Sequence, residues 1–290
     1  METKLLKAQI VRTKERNQRP KRSVSQWIVG IILSIAGLLF LIPFIWMILS
    51  AFKPENEVMK LTPTLLPKEF TLENFQMLFE SMNFAGYLKN TIIIVLCSFF
   101  GLFLNAMAGY AFAKYKFKGK DKLFYLVLAT MMIPGQVTMI PVYLLLNEMH
   151  LTNTMAGIVL PGLVGAFGIF LFRQFMSTIP DELIEAARID GASEFRIFVR
   201  IVIPMCKPIF AVQGILTFIA GWNSFLWPLI IANDESLYTL SVGLSLLKGQ
   251  YGGNFALQMA GSTFMVVPII IIFMFFQKHI IDGYNMSGMK

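Results

Sequence analysis

Six long segments of this chain contain no Asp, Glu, Lys or Arg: Trp27–Ser50, Asn90–Ala113, Leu123–Leu146, Thr154–Phe172, Pro208–Ala232 and Ala256–Gln277. A bilayer core of roughly 30 Å is crossed by about 20 helical residues at about 1.5 Å each, and these runs meet that length. In lipid, a spanning segment must satisfy its own backbone polar groups, which favours the helix for such runs. Buried helices of a large soluble protein would not give six such runs in 290 residues. The expectation is an all-α membrane protein with six transmembrane helices. Composition agrees, with 56% hydrophobic and 14% charged residues against a soluble average of about a quarter charged. The first run is read as a retained helix. The basic stretch before it is too long for a signal peptide, its apolar run exceeds the usual length, and no small-x-small cleavage site stands out.

Basic residues in short loops resist translocation and mark the cytoplasmic side. Lys4, Lys7, Arg12, Lys14, Arg16, Arg19, Lys21 and Arg22 precede the first run. The second-to-third connection holds the lysines at 114, 116, 118, 120 and 122, and the fourth-to-fifth holds Arg173, Arg188, Arg196, Arg200 and Lys207. The opposite side has only Lys53, Lys60, Lys68, Lys89 and Lys248. Both termini are therefore expected to be cytoplasmic, and the net charge of +8 is a topology signal rather than a nucleic-acid footprint. The expected division is a basic N-terminal segment (1–26), a first transmembrane helix (27–50), an external loop (51–84), a transmembrane core (85–282) and a cytoplasmic tail (283–290). The external loop contains Pro54, Pro63 and Pro67, then TLENFQMLF, which suits a short interfacial helix capped by Thr71. No soluble domain is visible.

Several chemistries have no support. The Gly119-Lys120 pair is followed by Asp121 and lacks the upstream glycine of a phosphate-binding loop. No paired carboxylates or Ser-His-Asp candidates share a pocket, and no cofactor is expected. Cys97 and Cys206 fall at opposite depths and read as small core residues, without metal-ligand spacing. His150 reads as a solvated loop residue. No run carries the ionisable residues typical of proton relays and ion-coupled carriers. Uphill transport by this chain would need energy from another polypeptide, and the chain is not expected to be an enzyme.

One charged stretch lies between the fourth and fifth runs: EAARIDGASEFRIFVRIVIP, Glu185–Pro204. Pro180 suits a first helical turn, with Asp181 and Glu182 near the positive end of the helix dipole. Leu183, Ile184, Ala186 and Ala187 give an apolar, small-residue face, and Glu185 and Arg188 have i,i+3 spacing. Gly191 ends or bends the helix because it tolerates left-handed backbone angles. A second amphipathic piece is expected to place Phe195, Phe198, Val199 and Val202 on one side and Arg196 and Arg200 on the other. Pro204 and Pro208 mark the return to the membrane.

These residues resemble the EAA loop of membrane subunits in bacterial ATP-binding-cassette importers, whose pattern is EAA-x3-G-x9-I-x-L-P. Every fixed position matches except Ile203, where the family usually has Leu. The resemblance extends over most of the chain from Trp27: the Trp222–Gly252 segment, IPVYLLL at 140–146, TLENF at 71–75 and GYNMSGMK at 283–290 are similar to the maltose-type second permease of sugar importers. It implies a type I importer core of five helices, wrapped by the first, with a cytoplasmic coupling helix that docks on an ATPase. By the resemblance, Glu185, Ala186 and Ala187 lie on the docking face, Gly191 shapes the elbow, and Asp190 and Pro204 belong to the same coupling motif. The implied partners are a second permease in a heterodimer, two ATP-binding subunits and an extracytoplasmic solute-binding protein, in the bacterial inner membrane. The implied solute is a carbohydrate, with an amino acid or peptide as the alternative. An ion-coupled secondary carrier is a more distant reading, because neither inverted repeats nor buried ionisable residues are found.

Carbohydrates are held by amides, hydroxyls and aromatic faces. Gln213, Thr217, Trp222, Asn223 and Ser224, with Trp227, are therefore candidates for the solute path on the fifth run, and Thr130, Gln136 and Thr138 on the third. Such residues also glue membrane helices together, and Trp favours interfaces.

Overall fold

The structure, a computed structural model, describes residues 24–250 and 252–287, and the basic segment before Val24 and the final tail residues lie outside them. All regular structure among the described residues is helical. Helix α1 (Val24–Ser50) is apolar all round and exposed along most of its length, the pattern of a helix facing lipid. Among the described residues, those through Ile48 form one unit and those from Leu49 a second.

The second unit begins with two short helices, α2 (Glu55–Val58) and α3 (Glu73–Glu80). Around them lies a polar clasp. Lys53 and Glu57 are both buried. The Lys53 ammonium donates to the Thr64 carbonyl, and the Thr64 hydroxyl donates to Glu57 Oε1 at 2.6 Å. The Lys68 and Glu69 N–H groups also donate to the Glu57 carboxylate. Asn74 Nδ2 donates to the carbonyls of Ala51 (2.9 Å) and Lys53 (2.7 Å). The Thr64 hydroxyl, then the two backbone N–H groups and the Lys53 charge, hold the Glu57 carboxyl below its usual range against the opposing effect of burial. The helix expected over TLENFQMLF is present, but its N-cap is Leu72, without a side-chain cap. Thr71 accepts the Glu73 N–H two residues on, a local turn that places the hydroxyl one residue too early to cap the helix.

The centre of this unit is α4 (Phe84–Lys114), opened by Asn83, whose Oδ1 accepts the Gly86 N–H. Against it pack α8 (Ala166–Met176) and α12 (Lys207–Trp222), and α15 (Phe255–Ser287) packs on α12. Gly101, Asn105 and Gly109, spaced four apart, let α8 come close. A Cβ on Gly109 would lie 2.5 Å from Phe172 Cβ, and Asn105 Oδ1 accepts the Gly165 N–H at 3.0 Å. Small residues permit this approach where the lipid gives no hydrophobic drive between helices. Glu55 reaches the start of α15 and accepts the N–H groups of Phe255 (3.1 Å) and Ala256 (2.7 Å), so a carboxylate meets the positive end of that helix.

Three of the six apolar runs are not continuous helices. The third consists of α5 (Lys120–Thr130) and α6 (Gly135–Glu148), meeting at 100°. Pro134 lacks an N–H and pushes Ile133 away from helical angles, so the backbone turns there. The fourth consists of α7 (Met155–Val159), a tight 3-10 turn at Leu160–Gly162 and α8, with a 41° bend. The fifth breaks after Trp222 and resumes as α13 (Leu226–Ile231). Among the described residues, four segments are long and apolar enough to cross a membrane, and six are if each bent pair counts as one span.

His150 is exposed in a turn with φ 56°, and Asn153 follows with φ 54°. Asn153 Oδ1 accepts the N–H groups of Asn233 (3.0 Å) and Asp234 (3.1 Å), tying two distant connections together. Beyond them, α14 (Leu240–Gln250) is sewn to α4. Asn90 Nδ2 donates to the Ser236 and Tyr238 carbonyls, and the Thr91 hydroxyl accepts the Leu240 N–H.

Candidate functional site

The Glu185 region forms an elbow of two helices. Helix α9 (Asp181–Ile189) starts directly after Pro180, with Asp181 and Glu182 in its first turn. Asp190 ends it and Gly191 follows at φ +79°. The Gly191 N–H donates to the Arg188 carbonyl and the Ala192 N–H to the Ala187 carbonyl, each at 3.0 Å. These paired bonds make a Schellman ending, which asks for glycine at the left-handed position. Ser193 then opens α10 (Glu194–Ile197) by accepting the Arg196 N–H. A wide π turn follows at Phe198–Val202, then α11 (Ile203–Met205) containing Pro204. Pro204 has no N–H to return to the preceding turn, and a π turn is the local adjustment seen at such places.

Ile184 and Ala187 face inward from α9, and Ile197, Phe198 and Val202 from the second arm, to join Tyr110, Phe172, Met176 and Ile179 in one core. Ala187 is thus part of the core, while Glu185, Ala186, Asp190, Gly191 and Pro204 are exposed. The expected apolar side of the second arm also changes. Phe198 and Val202 are buried, but Phe195 is 61% exposed and Val199 is also outside. The wide turn alters the helical phase, and Ile197 takes the inner position. Ile189 is 86% exposed, in a polar setting between Arg188 and Asp190. Its signal in the sequence was that it is out of phase with Ile184 and Ala187.

Arg188 pairs with Glu194, rather than with Glu185 one turn earlier. Its Nε lies 2.6 Å from Oε1 and its Nη2 3.2 Å from Oε2. Folding at Gly191 brings the first turn of α10 beside the last turn of α9, where the two groups meet. The Tyr115 hydroxyl donates to the same Glu194 carboxylate at 3.1 Å. Arg188 first, with Tyr115, holds the Glu194 carboxyl below its ordinary value against desolvation, and the Glu194 bond raises the Arg188 pKa. At the other end of α9, Lys114 Nζ sits 2.6 Å from Asp181 Oδ1, lowering the Asp181 pKa through that bond and its charge. A cavity of about 510 Å³ opens between these groups, lined by Lys114, Tyr115, Asp181, Glu185, Arg188 and Glu194 among others.

A second cavity, also about 510 Å³, lies where the broken spans meet. Ser98 of α4, Gln136 and Thr138 of α6, and Ser224 and Trp227 beside the fifth-span break line it, with Met139, Val142 and Ile158. The Trp227 indole donates to the Gly157 carbonyl at 3.2 Å, which fixes the ring. The other candidates are elsewhere. Trp222 stacks on Phe218 and donates to the Met265 carbonyl at 3.0 Å, gluing α12 to α15 near Pro268. Gln213 is buried on α12, and neither it nor Thr217 lines this cavity. Thr130 bonds back to the Val127 carbonyl. Asn223 belongs to a separate cavity of about 430 Å³ with Ser241, Gln258 and Ser262. Ser98 had no distinguishing pattern in a charge-free run, and only the fold brings it to Gln136. Among the described residues no group of three or more His, Cys, Asp or Glu could hold a metal ion, and Cys97 and Cys206 are unbonded.

Residues 101–284 match the family of binding-protein-dependent transport system inner membrane components. An arabinooligosaccharides transport system permease protein of Bacillus subtilis is 37% identical over 93% of this chain and 98% of its own length. A lactose transport system permease protein of Rhizobium radiobacter is 29% identical over 87% of this chain and 92% of its own. A solved bacterial ABC transporter involved in the import of the acidic polysaccharide alginate has a chain that superposes with a TM-score of 0.77 at 25% identity, covering 89% of this chain and 99% of that one. The long charge-free helices, the helical elbow between the fourth and fifth runs and these matches agree: the chain belongs to the binding-protein-dependent inner membrane transport components, as a permease subunit of the ABC importer type.

Proposed function

We propose that this chain forms half of the translocation path of an ATP-driven carbohydrate importer and receives its driving force at the Glu185 elbow. The other half is a second, different permease. Two ATP-binding subunits sit against the elbow, and a solute-binding protein delivers cargo on the opposite face. The observation that carries this reading is the outward display of Ile189 and Phe195 in the same charge-bearing elbow that exposes Glu185 and Ala186. Large apolar groups held bare in a polar segment suit a protein partner, and Glu185 offers a carboxylate to a basic residue of that partner. Gly191, Asp190 and Pro204 shape the elbow, and Ala187 supports it from inside.

The basic loops put the elbow and both termini in the cytoplasm. A cysteine at Lys118 should react with an impermeant thiol reagent only after permeabilisation, and one at Gly249 without it. The reverse labelling would overturn the orientation. The chamber with Ser98, Gln136, Thr138, Ser224 and Trp227 is the proposed solute path, because amides, hydroxyls and one fixed indole face suit a neutral polyhydroxylated solute. Carbohydrate is favoured over amino acid or peptide because, among the described residues, those lining that chamber are uncharged.

Replacing Glu185 by Lys reverses the charge at the proposed docking face. In membranes with equal permease levels, ATPase association and solute uptake should both fall, and unchanged uptake would remove Glu185 from the coupling surface. For the solute, thermal stabilisation of the cognate binding protein across a panel of sugars, amino acids and peptides should select a carbohydrate. Selection of an amino acid or peptide would refute that class.

A further inference from the structure

The elbow touches the end of α4 at two places, one on each side of Gly191. Before the glycine, Lys114 reaches Asp181 Oδ1 at 2.6 Å and also donates to the Ile179 carbonyl. After it, Tyr115 donates to Glu194, which Arg188 holds through two N–H···O contacts. The two anchoring side chains are consecutive residues at the end of the helix on which α8 and α12 pack.

We propose that Lys114–Asp181 and Tyr115–Glu194–Arg188 form a two-point clamp that fixes the elbow's angle on α4, making Tyr115 and Arg188 positioning residues for energy transfer. This deepens the coupling reading above and rests on it.

An elbow made at a single glycine can pivot. A Cβ at Gly191 would meet nothing within 4 Å, so no neighbouring side chain wedges the joint. The second arm, helical over 194–205 with the π turn in its middle, is still short for a helix that must hold its own shape. The shared core of Ile184, Ala187, Ile197 and Phe198 holds the two arms by packing, which is not directional, so a push at Glu185 is passed on at a fixed angle only if directional bonds also tie them. An arginine–carboxylate pair with two contacts fixes a plane as well as a distance, and Tyr115 ties that pair to α4. Force applied at the elbow then moves α4 and, through it, α8 and α12.

Tyr110 supplies an internal control. Its ring lies 5.4 Å from the Tyr115 ring and 5.3 Å from the Phe198 ring. Its hydroxyl, however, is buried without a hydrogen-bond partner. Removing that hydroxyl leaves the clamp whole, and removing the one on Tyr115 opens it.

The test uses the full complex in vesicles, with the partner permease, ATP-binding subunits and liganded binding protein. The readout is solute transported per ATP hydrolysed, a ratio that does not depend on how much complex has folded. Tyr115→Phe should lower the ratio by roughly twofold to tenfold, the range for one hydrogen bond. Arg188→Lys, which keeps the charge and loses the two-contact geometry, should lower it similarly. Tyr110→Phe should leave it at the wild-type value. Glu185→Lys in the same assay separates the two levels of the idea. If Glu185→Lys uncouples while Tyr115→Phe and Arg188→Lys keep the wild-type ratio, the clamp is wrong and the docking site stands. If Glu185→Lys also keeps the wild-type ratio, the coupling reading itself fails. Equal losses in Tyr115→Phe and Tyr110→Phe would mean general loosening of the core, and would also refute the clamp.

Discussion

The clasp at Ala51–Asn74 and the elbow at Asp181–Pro204 contain similar residues in opposite arrangements. In the clasp the charges go inward: Lys53 is 2% exposed, Glu57 accepts from Thr64, Lys68 and Glu69, and Phe52 lies 5.2 Å from Phe70 and 5.1 Å from Phe75. In the elbow the charges are exposed, and Ile189 and Phe195 point away from the core. Buried charges need partners, and in the clasp Glu57 takes the Thr64 hydroxyl and two backbone N–H groups while Lys53 takes the Thr64 carbonyl, which restrains this segment. Bare apolar side chains on a charged loop leave burial to be completed by something else. The comparison separates a part built to stay still from a part built to be met.

The largest effect is expected at the elbow. Gly191→Pro demands φ near −65° where the chain has +79°. The substitution should leave insertion intact and reduce uptake to background at equal permease levels. Normal uptake would show that the elbow is not the moving contact. The clasp should answer differently. Asn74→Ala removes two donors from the carbonyls of Ala51 and Lys53 and should destabilise the protein by about 1–3 kcal/mol. Thermal unfolding of the purified complex reads that loss, while transport per ATP should remain unchanged. A fall in that ratio would give the clasp a part in coupling and erase the contrast.

The smallest effect concerns pH. The Glu194 and Asp181 carboxyls are both held below their ordinary values of 4.5 and 3.8 by Arg188 and Lys114 respectively. A carboxyl with a lowered folded pKa stabilises the fold above its unfolded value and loses that contribution as pH falls through the folded one. The transport-to-ATP ratio should therefore be flat across the neutral range as far as these two pairs are concerned. A step between neutral pH and mild acid that disappears in Glu194→Gln would contradict the sign of the shift.

How much of this was legible follows from the range of each signal. The apolar runs and the Gly191 turn are local patterns, and both appear where the residues place them. Which of the prolines inside the runs would break a helix was not legible. Pro134 turns the backbone by 100° between α5 and α6, yet Pro141 and Pro268 lie inside continuous helices. Averaged hydropathy does not distinguish these prolines, because neighbouring helices decide whether a freed backbone group finds a partner. The clasp was invisible for a related reason. Lys53 and Glu57 look like solvated loop charges, and their partners, the Thr64 hydroxyl and several backbone groups, lie seven to twelve residues away. Phe195 was misplaced because one π turn shifts a helical face that periodicity assumes to be regular. Of the solute candidates, Gln136, Thr138, Ser224 and Trp227 line the chamber, Asn223 and Thr130 do not although they also stand beside breaks, and Trp222 and Gln213 are buried within continuous α12.

The central claim is that another subunit supplies the energy and the Glu185 elbow receives it. Reconstitution in sealed vesicles tests this most directly, comparing the chain alone under an imposed proton or sodium gradient with the chain assembled with a partner permease, two ATP-binding subunits and a liganded binding protein. The account predicts no accumulation by the chain alone and ATP-dependent uptake by the assembly, weakened by Glu185→Lys. Accumulation by the isolated chain under an ion gradient would contradict it and make the protein a secondary carrier.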